Sequence, residues 1–334
     1  MTPREKKELH CLQALLCHSK LKNNHDLFIK SPILPHLLEL ISTVDCDSTK
    51  LMVAQIVGNV ACRPDAINTL VLSGWVGVLV KWRQSQDSAF RLQLAASRAL
   101  INIHGSFVLS QQGSFFEGIV PMKRTQDGRK SVHVPCLLDG VYAYEPYQNF
   151  FTGDFDADVI FVHGLLGEWF YSMVIIDLPA YDYFCFLVIS PHVNISSAGG
   201  AAFTWRQSVA CDDVEKELKG EMPRGTCPTF SNCWPKDWLA KDLSRVRIIG
   251  VEYSTQLTDW EPVHPYETRE DRTITARAKE LLARLEAADV GKKRPVVWVT
   301  HSMGGLLVKE MLRLAEMKNE EDDILVNSCG KARI

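Results

Sequence analysis

Apolar residues in the first hundred positions recur with the spacing of amphipathic helices, and the pattern repeats itself. Residues 33–40 align with residues 75–82 at an offset of 42, and residues 57–60 align with residues 100–103 at an offset of 43. An internal period near forty is typical of armadillo or HEAT repeats, whose units stack on one another and leave a concave face for partners. The pattern predicts an armadillo-like, all-α domain over residues 1–104, with a protein partner on that face. Helices that resemble one another by accident are the alternative.

The composition changes after this helical region. Glycine and proline recur over the next stretch, at Gly105, Gly113, Gly118, Pro121 and Gly128, together with a polar run at residues 123–130. Such a mixture is typical of loops and connections between domains. We therefore predict a linker over residues 105–131 and a second domain over residues 132–334.

Short apolar runs alternate with helical patterns in the second domain. The runs predicted to be strands span residues 132–138, 140–144, 158–162, 246–253 and 296–300. Helices are predicted at residues 234–243 and 273–288, and a further helix follows the last strand. This order predicts an α/β domain with right-handed crossovers and a mostly parallel sheet that is covered by helices on both faces.

The last strand leads into the residues Thr-His-Ser-Met-Gly-Gly at 300–305. A serine between a buried strand and a helix, followed by glycine, is the context of the nucleophile elbow of hydrolases, where crowding in a strained turn requires small neighbours. We therefore predict Ser302 as the catalytic nucleophile, with Gly304 and Gly305 as elbow glycines. Thr300 stands where the commonest form of the motif has glycine, and a plain strand-to-helix turn that carries serine is the alternative.

A second glycine-rich motif, His-Gly-Leu-Leu-Gly, follows the strand at residues 158–162. In lipases, a strand that ends in such a loop supplies one backbone N–H to the oxyanion hole, and the residue after the nucleophile supplies the other. Leu165 and Met303 are therefore the predicted substrate-binding backbone donors, with Gly164 and Gly167 as loop glycines. His163 and His301 are interpreted as residues that brace these turns rather than as the general base.

Composition excludes several other functions. The net charge of -3 offers no basic excess for nucleic acid. The ten cysteines contain no C-x-x-C pair, and we interpret them as mostly reduced, buried thiols. The sequence contains no H-E-x-x-H motif, so no metal site is predicted. The most apolar window, residues 169–190, contains Asp177, Pro179 and Asp182, so no membrane span is predicted there. The first ten residues are charged and no apolar run follows them, so no cleaved leader is predicted.

Four motifs in order carry a resemblance to a known family. They are the segments at residues 163–167, 201–207, 238–253 and 294–309. Together they are similar to the lipase-like serine hydrolases that carry armadillo repeats and are related to GPI inositol-deacylases. The resemblance implies an α/β-hydrolase esterase or acyltransferase that needs no cofactor and acts on phospholipid, in phosphatidylglycerol acyl-chain remodelling and lipid and cholesterol trafficking. It also implies a location at contacts between endoplasmic reticulum and mitochondria, with membrane association through a partner or a segment absent here.

Two departures from the family pattern change the expectation for this chain. Residues 168–200 separate the glycine loop from the 201–207 motif, and we expect this insert to lack regular structure, with a functional lid as the alternative. In this fold the acid and the histidine of the triad follow the serine along the chain. No histidine occurs after Ser302, so a truncated hydrolase domain with little or no turnover is expected. A non-catalytic helical scaffold or a non-functional splice product is the alternative.

Overall fold

A computed structural model of the chain describes residues 3–85, 88–112, 122–124, 130–132, 134–145, 150–164, 185–189, 202–204, 235–253 and 273–317. The chain divides into two compact units. The first is built mainly from residues up to Ala143, and the second mainly from residues after Asp154. None of the helices in these ranges is both long enough and apolar enough to cross a membrane.

The first unit is helical. Its α-helices are α1 Pro3–Ser19, α2 His25–Lys30, α3 Ile33–Thr43, α4 Asp47–Val60, α5 Ile67–Leu72, α6 Trp75–Gln84 and α7 Phe90–Gln112. A 3-10 turn precedes α2 at Lys22–Asn24, and another precedes α5 at Pro64–Ala66. The order of turn, short helix and longer helix therefore occurs twice, at the offset that the sequence repeat predicts. The prediction of a repeated helical unit agrees with this arrangement.

Buried asparagines tie neighbouring helices of this unit together at repeated positions. Asn59, in the last turn of α4, donates from Nδ2 to the Ser19 hydroxyl at the end of α1, 2.9 Å away. Asn102, which aligns with Asn59 in the repeat, donates to the carbonyl of Gly58 at 3.0 Å. A buried amide needs such partners, so these contacts fix one register for each helix pair.

The last helix of the first unit passes through the start of the predicted linker. Helix α7 continues to Gln112, and Gly105 lies inside it. A methyl group at Gly105 would lie 2.6 Å from the ring of Phe151, so this glycine permits close packing rather than ending the helix. Two short antiparallel strands, β1 Met122–Arg124 and β2 Lys130–Val132, also fall in or next to the segment expected to be a linker.

The thiols whose surroundings the structure describes are free, but most of them are not buried. Cys11, Cys17 and Cys46 are exposed, Cys62 is half-buried and Cys136 is buried. The expectation of mostly buried thiols is therefore wrong for the first three. They lie on the outer faces of α1 and at the start of α4, where sequence alone does not show which side of a helix its neighbours cover.

The second unit contains a mixed sheet. Its strands are β3 Val141–Glu145, which begins in the first unit, β4 Ala157–Val162, β5 Cys185–Ile189, β6 Ala202–Thr204, β7 Val246–Val251 and β8 Val296–Thr300. Their order is β3-β7-β4-β8-β5-β6. Strand β4 pairs in parallel with both β7 and β8, while β5 pairs antiparallel with β8 and with β6. The mixed α/β architecture, with a parallel centre, agrees with the predicted class.

The helices of the second unit follow the predicted order. A π-helical turn at Pro235–Leu239 continues into α8 Ala240–Asp242, α9 spans Ile274–Ala287 and α10 spans Met303–Met317. The Thr275 hydroxyl of α9 donates to a carboxylate oxygen of Glu310 on α10 at 2.7 Å, which links these two helices.

Strand β5 corrects one expectation. Residues 168–200 were expected to lack regular structure, yet Cys185–Ile189 lies beside β8 with Leu187 opposite Thr300. The run Cys-Phe-Leu-Val-Ile is rich in residues that favour strands, and the free edge of β8 gives its backbone hydrogen-bonding partners. The remaining residues of the predicted insert lie outside the described ranges.

Candidate functional site

Three parallel strands end together and bring three distant residues to one edge of the sheet. Val162, the last residue of β4, pairs with Val251 of β7 and with Thr300 of β8. His163, Tyr253 and Ser302 follow these strand ends within two residues. Ligands of open α/β sheets bind at the carboxyl ends of the strands, so this edge is the candidate site.

Ser302 occupies a strained turn between β8 and α10. Its φ angle is 51°, in the left-handed region that side chains other than glycine rarely adopt. In the described ranges, only Asp289 shares this feature among residues other than glycine. The serine is exposed to solvent. Such a turn costs about 1–3 kcal/mol, and it lifts the hydroxyl out of both the strand and the helix that flank it. The turn therefore has the strained local geometry that a nucleophile elbow requires, and the catalytic role of Ser302 stays a prediction.

Close packing requires glycine at two positions around Ser302, which are Gly304 in the elbow and Gly164 in the glycine loop. A methyl group at Gly304 would lie 2.5 Å from the carbonyl oxygens of Val162 and of His163. A methyl group at Gly164 would lie 2.8 Å from Cβ of Ser302 and 2.9 Å from Nδ1 of His301. The start of the glycine loop and the elbow are thus in direct contact, and the side chains of His301 and Ser302 both lie against Gly164.

The backbone donors of the elbow are partly assigned by hydrogen bonds. The N–H groups of Gly304 and Gly305 donate to the carbonyls of His301 and Ser302, each at 3.0 Å. Met303 is the first residue of α10, where helix geometry provides no intrahelical acceptor for the N–H. This is the amide predicted to bind an oxyanion. The other predicted donor, Leu165, and the loop glycine Gly167 lie outside the described ranges.

His163 is held as a neutral imidazole beneath the site. It is 2% exposed, Nδ1 lies 3.0 Å from the carbonyl of Gly164, and the N–H of Tyr253 lies 3.4 Å from Nε2. A carbonyl accepts and an amide donates, so Nδ1 carries the hydrogen and Nε2 accepts. Burial lowers the pKa of this imidazole to about 4. Both nitrogens are occupied, which agrees with the interpretation of His163 as a brace rather than a base.

The depressed pKa of His163 predicts loss of stability in mild acid. The unfolded chain takes up this proton near pH 6.5, whereas the folded protein resists it until about pH 4. The contribution of neutral His163 to the free energy of unfolding is therefore complete above pH 6.5 and is lost as the pH falls from 6.5 to 4. At about 1.4 kcal/mol per pKa unit, it amounts to roughly 3 kcal/mol. We expect His163→Asn to be less stable than the wild type at pH 7 and to lose less stability over this window.

Urea unfolding at several pH values measures this difference. Burial also lowers the pKa of His25 in the first unit, so the wild-type slope contains a second contribution of the same sign. The quantity to compare is therefore the slope of the free energy of unfolding against pH, taken for the wild type minus that for His163→Asn. Equal slopes from pH 6.5 to 4 would show that His163 is not the group that resists the proton.

Glu310 on α10 is a carboxylate that follows Ser302 along the chain, as the acid of a catalytic triad would. Its side chain binds Arg313 and Thr275 instead. Its two oxygens accept from the guanidinium of Arg313 at 2.7 Å, and the Thr275 hydroxyl donates to one of them. The hydrogen bond from Arg313 and then that from Thr275 lower the pKa of Glu310 to about 2. Arg313 and Thr275, rather than a residue of the candidate site, therefore engage both oxygens of Glu310.

Sequence reasoning missed Tyr253 as part of the site. The strand run at 246–253 included it, but nothing in the run distinguishes it from a strand residue. In the structure its ring stacks on the ring of His163, with centroids 4.3 Å apart and planes 19° apart. Its hydroxyl donates to the carbonyl of His163 at 2.6 Å. The available signal was its position, two residues beyond a parallel strand that neighbours the glycine loop.

These features define a mixed α/β protein with an exposed serine on a strained strand-to-helix turn. The chain is similar to vertebrate proteins named Protein SERAC1. It is 34% identical to that of Danio rerio over 333 residues, which are 98% of this chain and 40% of the relative. It is 33% identical to the Bos taurus protein and 32% identical to the Homo sapiens protein, each over 325 residues, 97% of this chain and 39% of the relative.

The chain is therefore SERAC1-like over almost all of its length. It spans about two fifths of the length of these curated relatives. No protein-family model matches the chain, and no solved structure matches it.

Proposed function

We propose that Ser302 is the nucleophile of an acyl-transfer site that acts on phospholipid esters. The observation that carries the proposal is the φ angle of 51° at an exposed serine between β8 and α10. Direct contact between this turn and Gly164, at the start of the glycine loop, adds support, because acyl transfer needs oxyanion donors beside the nucleophile. Similarity to the SERAC1 proteins is compatible with this proposal.

The proposed reaction has two halves. The Ser302 oxygen attacks the ester carbonyl carbon, and the hydroxyl proton passes to a base. Backbone N–H groups, that of Met303 and by prediction that of Leu165, bind the oxygen that becomes negative. The C–O bond to the lipid alcohol then breaks, the alcohol leaves with a proton, and an acyl-serine ester remains. Water or a second lipid hydroxyl attacks this ester, takes the acyl group and regenerates the serine.

The proposed substrate class is phospholipid, with phosphatidylglycerol acyl-chain remodelling and lipid and cholesterol trafficking as the process. It rests on the family resemblance of the four motifs. The same resemblance supports a location at contacts between endoplasmic reticulum and mitochondria, and a protein partner on the helical repeat.

Transfer of the Ser302 proton to a base is the step of the proposed reaction that this polypeptide supports least. No histidine follows Ser302 in the sequence, and both ring nitrogens of His163 are engaged. A hydroxyl without a base is a weak nucleophile, and a site that keeps only its oxyanion hole and binding contacts retains roughly 10³–10⁴-fold help over water. We therefore expect this polypeptide, assayed by itself, to react slowly at Ser302.

Labelling with a fluorophosphonate probe tests the proposal, because the probe reports an activated serine before any substrate is known. We expect slow labelling at Ser302, located by peptide mass spectrometry, and faster labelling when imidazole is added as an external base. Ser302→Ala should lose this label. Ser42→Ala, which removes an exposed hydroxyl on α3, should keep it.

Two other outcomes have clear meanings. Fast labelling of Ser302 without imidazole would show that a base already reaches the serine, and the expectation of low turnover would be wrong. A folded sample that is not labelled at Ser302, with or without imidazole, would contradict the proposed nucleophile. It would favour a non-catalytic helical scaffold, the alternative that the engaged nitrogens of His163 support.

A further inference from the structure

Tyr253 contacts the turn beneath Ser302 in three independent ways. Its ring stacks on the imidazole of His163, its N–H donates to Nε2 of that imidazole, and its hydroxyl donates to the carbonyl of His163 at 2.6 Å. One side chain and its own amide therefore fix both the ring and the backbone of His163. Tyr253 itself is 9% exposed, so these contacts lie out of water, where hydrogen bonds are stronger.

The contacts continue from His163 into the glycine loop. The Nδ1 hydrogen of His163 is donated to the carbonyl of Gly164, 3.0 Å away. A trans peptide is planar, so a carbonyl held in one direction fixes the plane of its peptide group. Two successive carbonyls are fixed in this way: that of His163 by the Tyr253 hydroxyl, and that of Gly164 by the His163 ring.

These two carbonyls lie at the point where the loop meets the elbow. A methyl group at Gly164 would touch Cβ of Ser302, and a methyl group at Gly304 would overlap the carbonyl oxygen of His163. The Tyr253 hydroxyl therefore holds the same carbonyl oxygen on which the first turn of α10 rests. A rotation of this peptide would change the distance between the loop and Ser302.

We propose that Tyr253 is a positioning residue for acyl transfer: it holds the His163–Gly164 turn in the orientation that places oxyanion donors beside Ser302. This role rests on the proposed function of Ser302. Tyr253 is buried beneath the turn, so it acts through the backbone of the loop. Preorganised donors matter most when charge develops on the substrate oxygen, so loss of the positioning contact should slow the chemical step more than it weakens binding.

The test is the saturation kinetics of fluorophosphonate labelling in the presence of imidazole. Tyr253→Phe keeps the ring stack and the backbone donor but removes the hydroxyl. We expect the maximal labelling rate to fall about fivefold, the effect of one hydrogen bond of ordinary net strength, with half-saturation at the same probe concentration. Tyr253→Leu also removes the ring stack, so its maximal labelling rate should fall at least as far. Either variant suffices if the other fails to fold, since each lacks the hydroxyl.

A matched control removes a buried tyrosine hydroxyl elsewhere in the unit. The Tyr144 hydroxyl lies against Gly250, where an added methyl group would be 2.8 Å away, within β7 and before the strand end that leads to Tyr253. Tyr144→Phe should therefore keep the wild-type labelling rate even if its thermal stability changes. A purely structural role for Tyr253 predicts the same behaviour for both Phe variants.

The outcomes separate this proposal from the proposed function. If the wild type is labelled at Ser302 and folded Tyr253→Phe is labelled equally fast, Tyr253 has no positioning role while the nucleophile stands. If half-saturation rises and the maximal rate is unchanged, the residue affects binding and the proposal is wrong. If the wild type itself is not labelled, the proposed function and this role both fall.

Discussion

Replacing Asp158 with asparagine is expected to lower the free energy of unfolding of the second unit by about 3–5 kcal/mol. Asp158 is fully buried on β4. One of its oxygens accepts from Nε of Arg247 at 2.6 Å and from Nε of Arg294 at 2.7 Å. The other oxygen accepts from Arg247 at 2.8 Å and from the N–H of Gly291 at 3.0 Å. Asparagine removes the charge and turns an N–H₂ group toward these donors, so two guanidinium groups lose a buried carboxylate partner.

An exposed pair supplies the control for this prediction. Asp156 binds Arg245 through two hydrogen bonds of 2.8 and 2.7 Å, but both side chains are more than half exposed. Exposed pairs contribute little because water competes for both partners. Asp156→Asn should therefore be nearly as stable as the wild type in urea unfolding. Equal losses in the two variants would show that burial does not decide the contribution of these ion pairs.

The ion cluster around Asp158 and the candidate site lie at opposite ends of the parallel strands. Asp158 pairs with Arg247 and with Val296 in the sheet register, near the amino ends of the three strands, whereas Ser302 follows their carboxyl ends. Loss of the cluster should therefore destabilise the sheet rather than alter the chemistry of a folded molecule. The labelling rate of the folded fraction of Asp158→Asn distinguishes these two effects.

Features set by neighbours in the sequence could be predicted. The elbow depends on a β-branched strand, a serine and a glycine within about ten residues, and the structure places these where the pattern indicates. The helical repeat could be found because its elements recur at the same offset along the chain. In both cases the information lies within a short window or within its copy.

Features set by distant contacts could not be predicted. Residues 134–138 have a strand-like composition but form no strand, because the side chain of Asn102 binds both backbone groups of Leu137, at 2.8 Å to the N–H and 3.0 Å to the carbonyl. Helix α7 passes Gly105 because Phe151 packs there. The link between Tyr253 and His163 joins residues 90 positions apart. None of these pairs leaves a local pattern, since each partner alone fits an ordinary strand, helix or loop.

Strand β5 is also set by a distant contact, although in this case the contact creates a strand instead of preventing one. Its apolar composition favours a strand, but the partner that makes it one, β8, lies more than a hundred residues later in the chain. An antiparallel neighbour beside the strand that carries the nucleophile is not implied by the alternation of strands and helices, which indicates parallel pairing. The sequence could therefore predict the parallel centre of the sheet but not this edge.

Gly304→Ala is expected to destabilise the second unit by about 2 kcal/mol or more and to abolish labelling at Ser302. The new methyl group would lie 2.5 Å from two backbone oxygens, those of Val162 and His163. These atoms belong to the end of β4 and to the turn that Tyr253 holds, so neither can move aside as a flexible side chain could. The first turn of α10 must shift instead, and Ser302 shifts with it.

Gly77→Ala separates this contact from the general effect of adding a methyl group to a helix. Gly77 lies in α6, and apart from its chain neighbours and the backbone of its own helix a methyl group there would meet no atom within 4 Å. Alanine is favoured over glycine inside a helix by about 1 kcal/mol, so this control should be as stable as the wild type or more stable. Gly304 does not have a positive φ angle, so the same preference favours alanine there, and any net loss measures the steric overlap. If Gly304→Ala unfolds at the wild-type urea concentration and is still labelled at Ser302, the elbow does not depend on this contact with β4.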